Sequence, residues 1–212
     1  MNGTGFKGKL FVLFEWITRI AYVNVLWIGF SLLGVMLFGL FPATSAMFAL
    51  IRRWVRGEDD FSIFRLFWST YKSDFGKTNA FGWIMTGLGI VLYLDYLFFS
   101  SSGSTLFFLL KSFTIMLLFV YVLILALIFP VFVHYKLTLF HLFRNTIFIA
   151  MLHPFKSLVA ILGVVCISFI MFFVPTLIPF FGGSVVALYV TWIAQRMFLK
   201  IDEKQQEGLK NG

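Results

Sequence analysis

The sequence predicts an all-α protein: a polytopic integral membrane helix bundle with about five transmembrane helices plus amphipathic interfacial helices, in a single domain over 1–212. Three observations predict this class. The 212-residue chain is 60% hydrophobic, with a mean hydropathy of +0.95. Only 12% of its residues are charged, whereas a soluble domain has about 25%. The apolar residues also form runs of about 20, the length of helix that crosses the bilayer hydrocarbon.

Five apolar runs are predicted to span the membrane: 20–41, 79–99, 106–129, 157–178 and 182–198. Prolines punctuate them, because a proline inside a helix removes a hydrogen bond and disfavours the helical conformation of the residue before it. The dipeptide Phe41-Pro42 is predicted to separate the first span from a second helix, and Pro130 is predicted to end the third span. The fifth run is the shortest and is barely long enough to cross.

Two segments between the spans, 42–78 and 131–156, are predicted to lie in the membrane interface. The first has apolar side chains at helical spacing, which share one face: Met47, Leu50, Ile51, Trp54 and Val55. Arg52, Arg53 and Arg56 fall on the other side of that helix. A basic face opposite an apolar face is typical of a helix that lies flat in the headgroup layer. The sequence therefore predicts that these three arginines bind anionic lipid headgroups of the bilayer.

The distribution of lysine and arginine predicts the orientation. Six of these residues lie in 42–79, and none lies in the turns 100–105 and 179–183. Cytoplasmic loops carry the excess of basic residues, so 42–79, 131–156 and the C-terminus are predicted to be cytoplasmic in a bacterial cell membrane. Counting back through five spans places the N-terminus outside, although basic residues precede the first span: Lys7, Lys9 and Arg19.

Three polar residues inside the predicted spans are candidates for special roles. Asn24 is predicted to make a helix–helix hydrogen bond within the bundle, and a ligand contact is the alternative. Asp95 and Lys111 flank the turn between the second and third spans at similar depth. They are predicted to form an intramembrane ion pair, and a functional role for these charges is the alternative.

The sequence indicates no catalytic, metal or cofactor site. No acidic residue lies between Asp95 and Asp202, so the histidines lack carboxylate neighbours in sequence: His134, His141 and His153. Walker A, GxSxG and HExxH motifs are absent. We therefore predict that the protein is not an enzyme and uses no cofactor. The net charge of +8 follows from the positive-inside distribution, and no nucleic-acid partner is expected.

Several short motifs carry a family resemblance. They are Asn24-Val25-Leu26-Trp27, Gly39-Leu40-Phe41-Pro42-Ala43-Thr44, Arg53-Trp54 and Arg56-Gly57. Together they resemble the N-terminal signature of the YesL-like bacterial membrane proteins, a family defined by a domain of unknown function. The resemblance is strongest over 20–85. It implies a multi-pass protein whose genes often lie beside carbohydrate ABC-transporter and glycan-degradation genes, and it carries over no catalytic residue.

Three functions are compatible with these observations. The first is an accessory or regulatory component of carbohydrate ABC-transporter uptake, in contact with permease subunits. The second is a small stand-alone transporter or permease, and the third is a membrane-embedded enzyme. A transporter should show polar groups along a path at mid-bilayer depth. The spans contain few such groups, chiefly Asn24, Ser31, Thr86 and Thr114, which favours the accessory role.

Overall fold

The computed structural model describes residues 6–101 and 103–210, and the side chains of 8–101 and 103–199. These residues form seven α-helices and one short 3-10 turn, with no strand among them. The helices are α1 Phe6–Leu33, α2 Leu40–Val55, α3 Ile63–Phe99, α4 Thr105–Tyr135, α5 Leu139–Leu152, α6 Pro154–Phe173 and α7 Ile178–Lys210, and the 3-10 turn is Pro175–Leu177.

Five helical segments are long and apolar enough to cross a membrane. They are Gly8–Leu33, Ile63–Phe99, Thr105–Tyr135, Pro154–Phe173 and Pro175–Leu199. The predicted all-α class and the number of apolar spanning segments are confirmed, so the chain is a multi-pass membrane protein. Every predicted span overlaps one of these segments, although several boundaries differ.

The first predicted boundary is wrong. Helix α1 ends at Leu33, and the chain reverses over 34–39 before α2 begins at Leu40. Pro42 lies in the first turn of α2, where its missing N–H group has no intrahelical partner to lose. The reversal instead uses left-handed backbone at Val35 and Met36, with φ of 58° and 55°.

Helices α1 and α2 form an antiparallel hairpin. The rings of Trp16 and Trp54 lie 5.8 Å apart, and Trp27 Nε1 donates to Thr44 Oγ1 over 3.0 Å. The apex closes tightly, because Gly34 and Gly39 bring the two backbones together with no room for a Cβ atom. The middle of α1, around Trp16, therefore lies beside the end of α2.

Helix α2 lies at the centre of the bundle and not flat in the headgroup layer, so that prediction is wrong. It packs against α1, α3, α4 and α7. Its apolar face is buried by these helices, with Leu50, Ile51 and Trp54 all at most 5% exposed. The amphipathic period correctly predicted a buried face on α2, but other helices cover that face instead of lipid.

Helices α3 and α4 are longer than predicted. The aromatic segment after Ser62 and the span 79–99 form one continuous helix of 37 residues, roughly 55 Å at ~1.5 Å per residue. Helix α4 passes through Pro130 and ends at Tyr135, so the predicted end at 129 is wrong. A proline inside a membrane helix is tolerated where neighbouring helices surround it, and Pro130 is buried.

The C-terminal half adds a second pair of helices. Tyr189 of α7 packs over Gly163 of α6, and its hydroxyl donates to the Val159 carbonyl over 2.8 Å. At the other end of this pair, Lys156 Nζ donates to the Arg196 carbonyl over 2.8 Å. The amphipathic helix α5 connects the end of α4 to the start of α6, and its predicted interfacial location stays a prediction.

Several basic residues of different helices lie at one end of the bundle, which we call the basic end. Arg19, in the middle of α1, reaches the segment after α2, where its Nη1 lies 2.8 Å from Asp59 Oδ1. The end of α2 meets the end of α4 through Arg52 and Val133, and the end of α4 meets α7 through His134 and Phe198.

The structure differs from the single crossing that the prediction counted between the N-terminal segment and 42–79. Helix α2 runs antiparallel to α1, so Arg19 lies at the same end of the bundle as Arg52, Arg53 and Arg56. Basic residues gathered at one end agree with the positive-inside rule. The N-terminus itself lies outside the described residues, and its predicted external location stays a prediction.

Cysteine labelling should detect this shared side. In a Cys166→Ser background, we expect Lys9→Cys and Glu58→Cys to react alike with a membrane-impermeant maleimide, and Gly103→Cys to react oppositely. The basic charge predicts that Gly103→Cys is labelled from outside and the other two only after permeabilisation. Opposite reactivity of Lys9→Cys and Glu58→Cys in intact cells would contradict the hairpin.

Candidate functional site at the basic end

A cleft of about 140 Å³ opens between α2, α3 and α4 at the basic end, and we call it the basic cleft. Its polar lining comes from two helices, α2 and α3, and from the residue that ends α4: Arg52, Arg53, Thr70, Ser73, Asp74 and Lys136. Its apolar walls include Ala49, Leu66 and Phe132. Three cations face one carboxylate, so the cleft carries a net positive charge.

Arg52 is the half-buried cation of the cleft. Its Nη1 donates to the Val133 carbonyl over 3.2 Å, close to the end of α4, where the helix dipole favours a positive charge. Burial lowers the pKa of the Arg52 guanidinium, the charge of Arg56 lowers it further, and Glu58 opposes the change. An arginine nevertheless stays charged in proteins, so Arg52 is a fixed cation.

The other two arginines of α2 are more exposed, and of these Arg53 lines the cleft whereas Arg56 does not. Arg53 Nε lies 3.8 Å from Glu58 Oε2, and its guanidinium carbon lies 5.4 Å from the centroid of the Phe61 ring. Arg53 and Arg56 are exposed. The three arginines predicted to bind lipid headgroups therefore do not share one outward face, and that role stays a prediction for all three.

The opposite wall of the cleft is formed by Asp74 and Lys136. Asp74 accepts hydrogen bonds from Ser45 Oγ over 3.2 Å and from Ser73 Oγ over 3.0 Å. Lys136 is exposed and ends α4 with φ of 47° and ψ of 46°. These residues come from the two segments that the sequence analysis treated as separate interfacial regions.

Asn24 joins α1 to the first turns of α7. Its Nδ2 donates to the carbonyls of Ile178 and Pro179 over 3.2 and 2.8 Å. Its Oδ1 accepts from the N–H groups of Gly183 and Ser184 over 2.9 and 3.0 Å. Asn24 is fully buried, and all its polar atoms bond to backbone, so it acts here as a contact between helices.

Asp95 and Lys111 are not joined in an ion pair. Both are half-buried, and Lys111 Nζ instead lies 5.3 Å from the centroid of the Tyr96 ring. The ion pairs among the described side chains are Arg19–Glu15, Arg19–Asp59 and Arg53–Glu58. Equal distance from a turn fixes the depth of a side chain but not the direction in which it points around the helix axis.

Two features of the structure were missed by the sequence analysis. Asn79, buried beside the apex of the α1–α2 hairpin, donates to the Phe38 carbonyl over 2.9 Å. The basic cleft was also missed, although its two contributing segments share a mixed basic and apolar composition. Among the residues that the structure describes, no group of three or more His, Cys, Asp or Glu side chains is arranged to hold a metal ion.

Comparison with known proteins identifies the family. Residues 20–96 match a family model described as "Protein of unknown function, DUF624". The chain is 34% identical over 194 residues to "Uncharacterized protein YesV" of Bacillus subtilis (strain 168), covering 92% of this chain and 93% of the relative. It is also 33% identical over 192 residues to "Uncharacterized protein YesL" of that strain, covering 91% and 90%. The chain belongs to the DUF624 family.

The predicted YesL-like resemblance is therefore confirmed. The segment of this DUF624 protein that the family model matches runs from α1 into the last turn of α3. It contains Asn24, the arginines of α2 and Asp74, and thus much of the basic cleft. No solved structure matches this DUF624 protein.

Proposed function

We propose that this protein is an accessory or regulatory membrane subunit of a bacterial carbohydrate-uptake ABC transporter, in contact with the permease subunits. It lies in the cell membrane with its basic end in the cytoplasm. The observation that carries the proposal is a two-helix hairpin, formed by the distal parts of α3 and α4, that extends away from the packed helices of the bundle. We call it the distal hairpin, over 84–122.

The two helices of the distal hairpin contact mainly each other. Beyond Trp83, the aromatic and hydrogen-bonded contacts that α3 makes with other helices in the described chain are with α4. Tyr121 donates to the Met85 carbonyl over 3.1 Å, and the Phe99 and Phe107 rings lie 5.8 Å apart. Most of the remaining surface is exposed and apolar, including Leu88, Val91 and Leu94. In a bilayer, such a surface is covered by lipid or by helices of another membrane protein.

The buried polar groups favour a subunit over a stand-alone permease. A substrate path at mid-bilayer depth needs polar groups that face a cavity. Instead, Asn24 bonds to backbone of α7, and the hydroxyls of Ser31, Thr86 and Thr114 each donate to a carbonyl of their own helix. The side chains of all four residues singled out for a path are therefore already hydrogen-bonded, Asn24 between helices and the three hydroxyls within their own helix.

The carbohydrate ABC transporter is proposed as the partner from the resemblance to the YesL-like family, because genes of that family often lie beside carbohydrate ABC-transporter genes. A membrane subunit that binds a permease should offer an apolar helical surface, because membrane helices associate through close packing and a few polar contacts. The distal hairpin offers such a surface, and Asp95 and Lys111 add two half-buried charges to it.

Affinity purification in mild detergent, followed by identification of the co-purifying proteins, tests the proposal. We expect the native chain to recover a carbohydrate ABC permease. Leu94→Trp, on the distal hairpin, should abolish recovery, because a bulky ring disrupts close helix packing. Leu162→Trp is the matched control on α6, since the two leucines are 56% and 55% exposed. It should leave recovery unchanged.

Two outcomes would contradict the proposal. Purification of the protein alone, with sugar flux in proteoliposomes, would establish a stand-alone permease. Turnover of a membrane-embedded substrate by the purified chain would establish an enzyme.

A further inference from the structure

The basic cleft has the size and charge of a site for a small anion. Its volume of about 140 Å³ equals roughly five water molecules at ~30 Å³ each. Drug-sized ligands occupy clefts of ~300 Å³ or more. Three cations, Arg52, Arg53 and Lys136, line this small space, so a compact, negatively charged group fits it best.

The carboxylate in the cleft does not neutralise Arg52 or Lys136, whereas Arg53 is paired with Glu58 outside the cleft. Asp74 accepts from Ser45 and Ser73, and no ion pair within 4.0 Å links it to Arg52 or Lys136 among the side chains that the structure describes. An ionised carboxylate has about four acceptor positions, so Asp74 can also accept from a hydroxyl group of a ligand.

Arg52 has an unused donor. Its Nη1 is bonded to the Val133 carbonyl, whereas its Nε is buried with no hydrogen-bond partner in the described part of the chain. A buried donor without an acceptor is unfavourable. A phosphate oxygen would supply the acceptor, and the planar guanidinium matches the spacing of two phosphate oxygens.

Lys136 stands at a position that favours glycine. Its φ of 47° is left-handed, a conformation that glycine adopts without steric strain at the end of a helix. A lysine is strained in this conformation. Its ammonium group lies at the exposed side of the cleft. Lysine binds phosphate as a point charge.

We propose that the basic cleft binds one phosphate ester that carries a neighbouring hydroxyl group, such as glycerophosphate. Arg52 and Lys136 bind the phosphate oxygens, and Asp74 accepts from the hydroxyl. The same chemistry occurs in the headgroup of phosphatidylglycerol and in free glycerol phosphate. The site needs no transporter partner, so the outcome of its test is independent of the proposed function.

Binding to the full chain in phosphatidylcholine nanodiscs tests the site. Glycerol 1-phosphate is titrated by calorimetry, with glycerol as the uncharged control, and phosphatidylglycerol is added to the nanodiscs and counted by native mass spectrometry. Saturable binding of glycerol 1-phosphate indicates a soluble ligand, and one retained phosphatidylglycerol per chain without it indicates the lipid. Either result supports the site, and saturable binding of neither would overturn it.

Two variants separate a cleft from general surface charge. Lys136→Gly removes a cation and suits the left-handed backbone, so it should fold normally and bind about tenfold more weakly, as expected for loss of one charge-assisted hydrogen bond. Arg65→Gln removes an exposed charge of α3 that does not line the cleft, and it should bind as the native chain does. Equal weakening by the two variants would show that the attraction is diffuse and would overturn the proposal.

Discussion

Replacing Asn24 by alanine is expected to destabilise the bundle by about 2–4 kcal/mol. Side-chain hydrogen bonds in membrane proteins contribute roughly 0.6 kcal/mol each on average, and Asn24 makes four. The substitution also leaves buried backbone groups of α7 without these partners, which adds to the loss. Unfolding of the purified protein in detergent or bicelles, followed by circular dichroism, measures the effect.

Ser31→Ala is the matched control for Asn24→Ala. Ser31 is a buried polar residue of the same helix, but its hydroxyl donates only to the Trp27 carbonyl one turn earlier. Its loss should therefore cost less than about 1 kcal/mol. Similar losses for the two variants would show that the α1–α7 contact contributes little beyond local hydrogen bonding.

Gly39→Val is expected to prevent closure of the α1–α2 hairpin. A Cβ atom at this position would overlap the carbonyl oxygens of Ser31 and Phe30 and the backbone of Gly34. These are backbone atoms, which cannot move aside as a flexible side chain can. Overpacking usually costs ~1–3 kcal/mol and more when the backbone must shift. We expect a strong decrease in the yield of folded protein and in its melting temperature.

Gly29→Val supplies the control in the same hairpin. No atom lies within 4 Å of a Cβ built at Gly29, so the variant should fold with near-native stability despite the same change in side chain. Equal behaviour of the two valine variants would contradict the close approach of Gly34 and Gly39. Because α2 is central, loss of the hairpin should also disturb its contacts with α3, α4 and α7.

Only part of the candidate site could be predicted from the sequence. Asn24 could be selected from sequence because an amide inside an apolar run needs a partner, but the partner, the start of α7, is more than 150 residues away. The ion pair of Asp95 and Lys111 could be proposed because both lie at similar depth, but its absence depends on helix rotation. The basic cleft could not be predicted, since it exists only where α2, α3 and α4 meet.

The sequence by itself determined the all-α class and the presence of five long apolar helices, because composition and hydropathy directly measure how readily each segment leaves water. Its short motifs determined the family resemblance. The tertiary structure alone decided that α2 lies at the centre of the bundle, that α1 and α2 reverse at Gly34 and Gly39, and that α4 continues through Pro130. It also decided that Arg19 of α1 and the basic residues of α2 share one end. Hydropathy cannot make these distinctions, because lipid and the protein interior are similarly apolar surroundings for a side chain. Contacts between distant segments of the chain decide where a helix ends and which helices cover it.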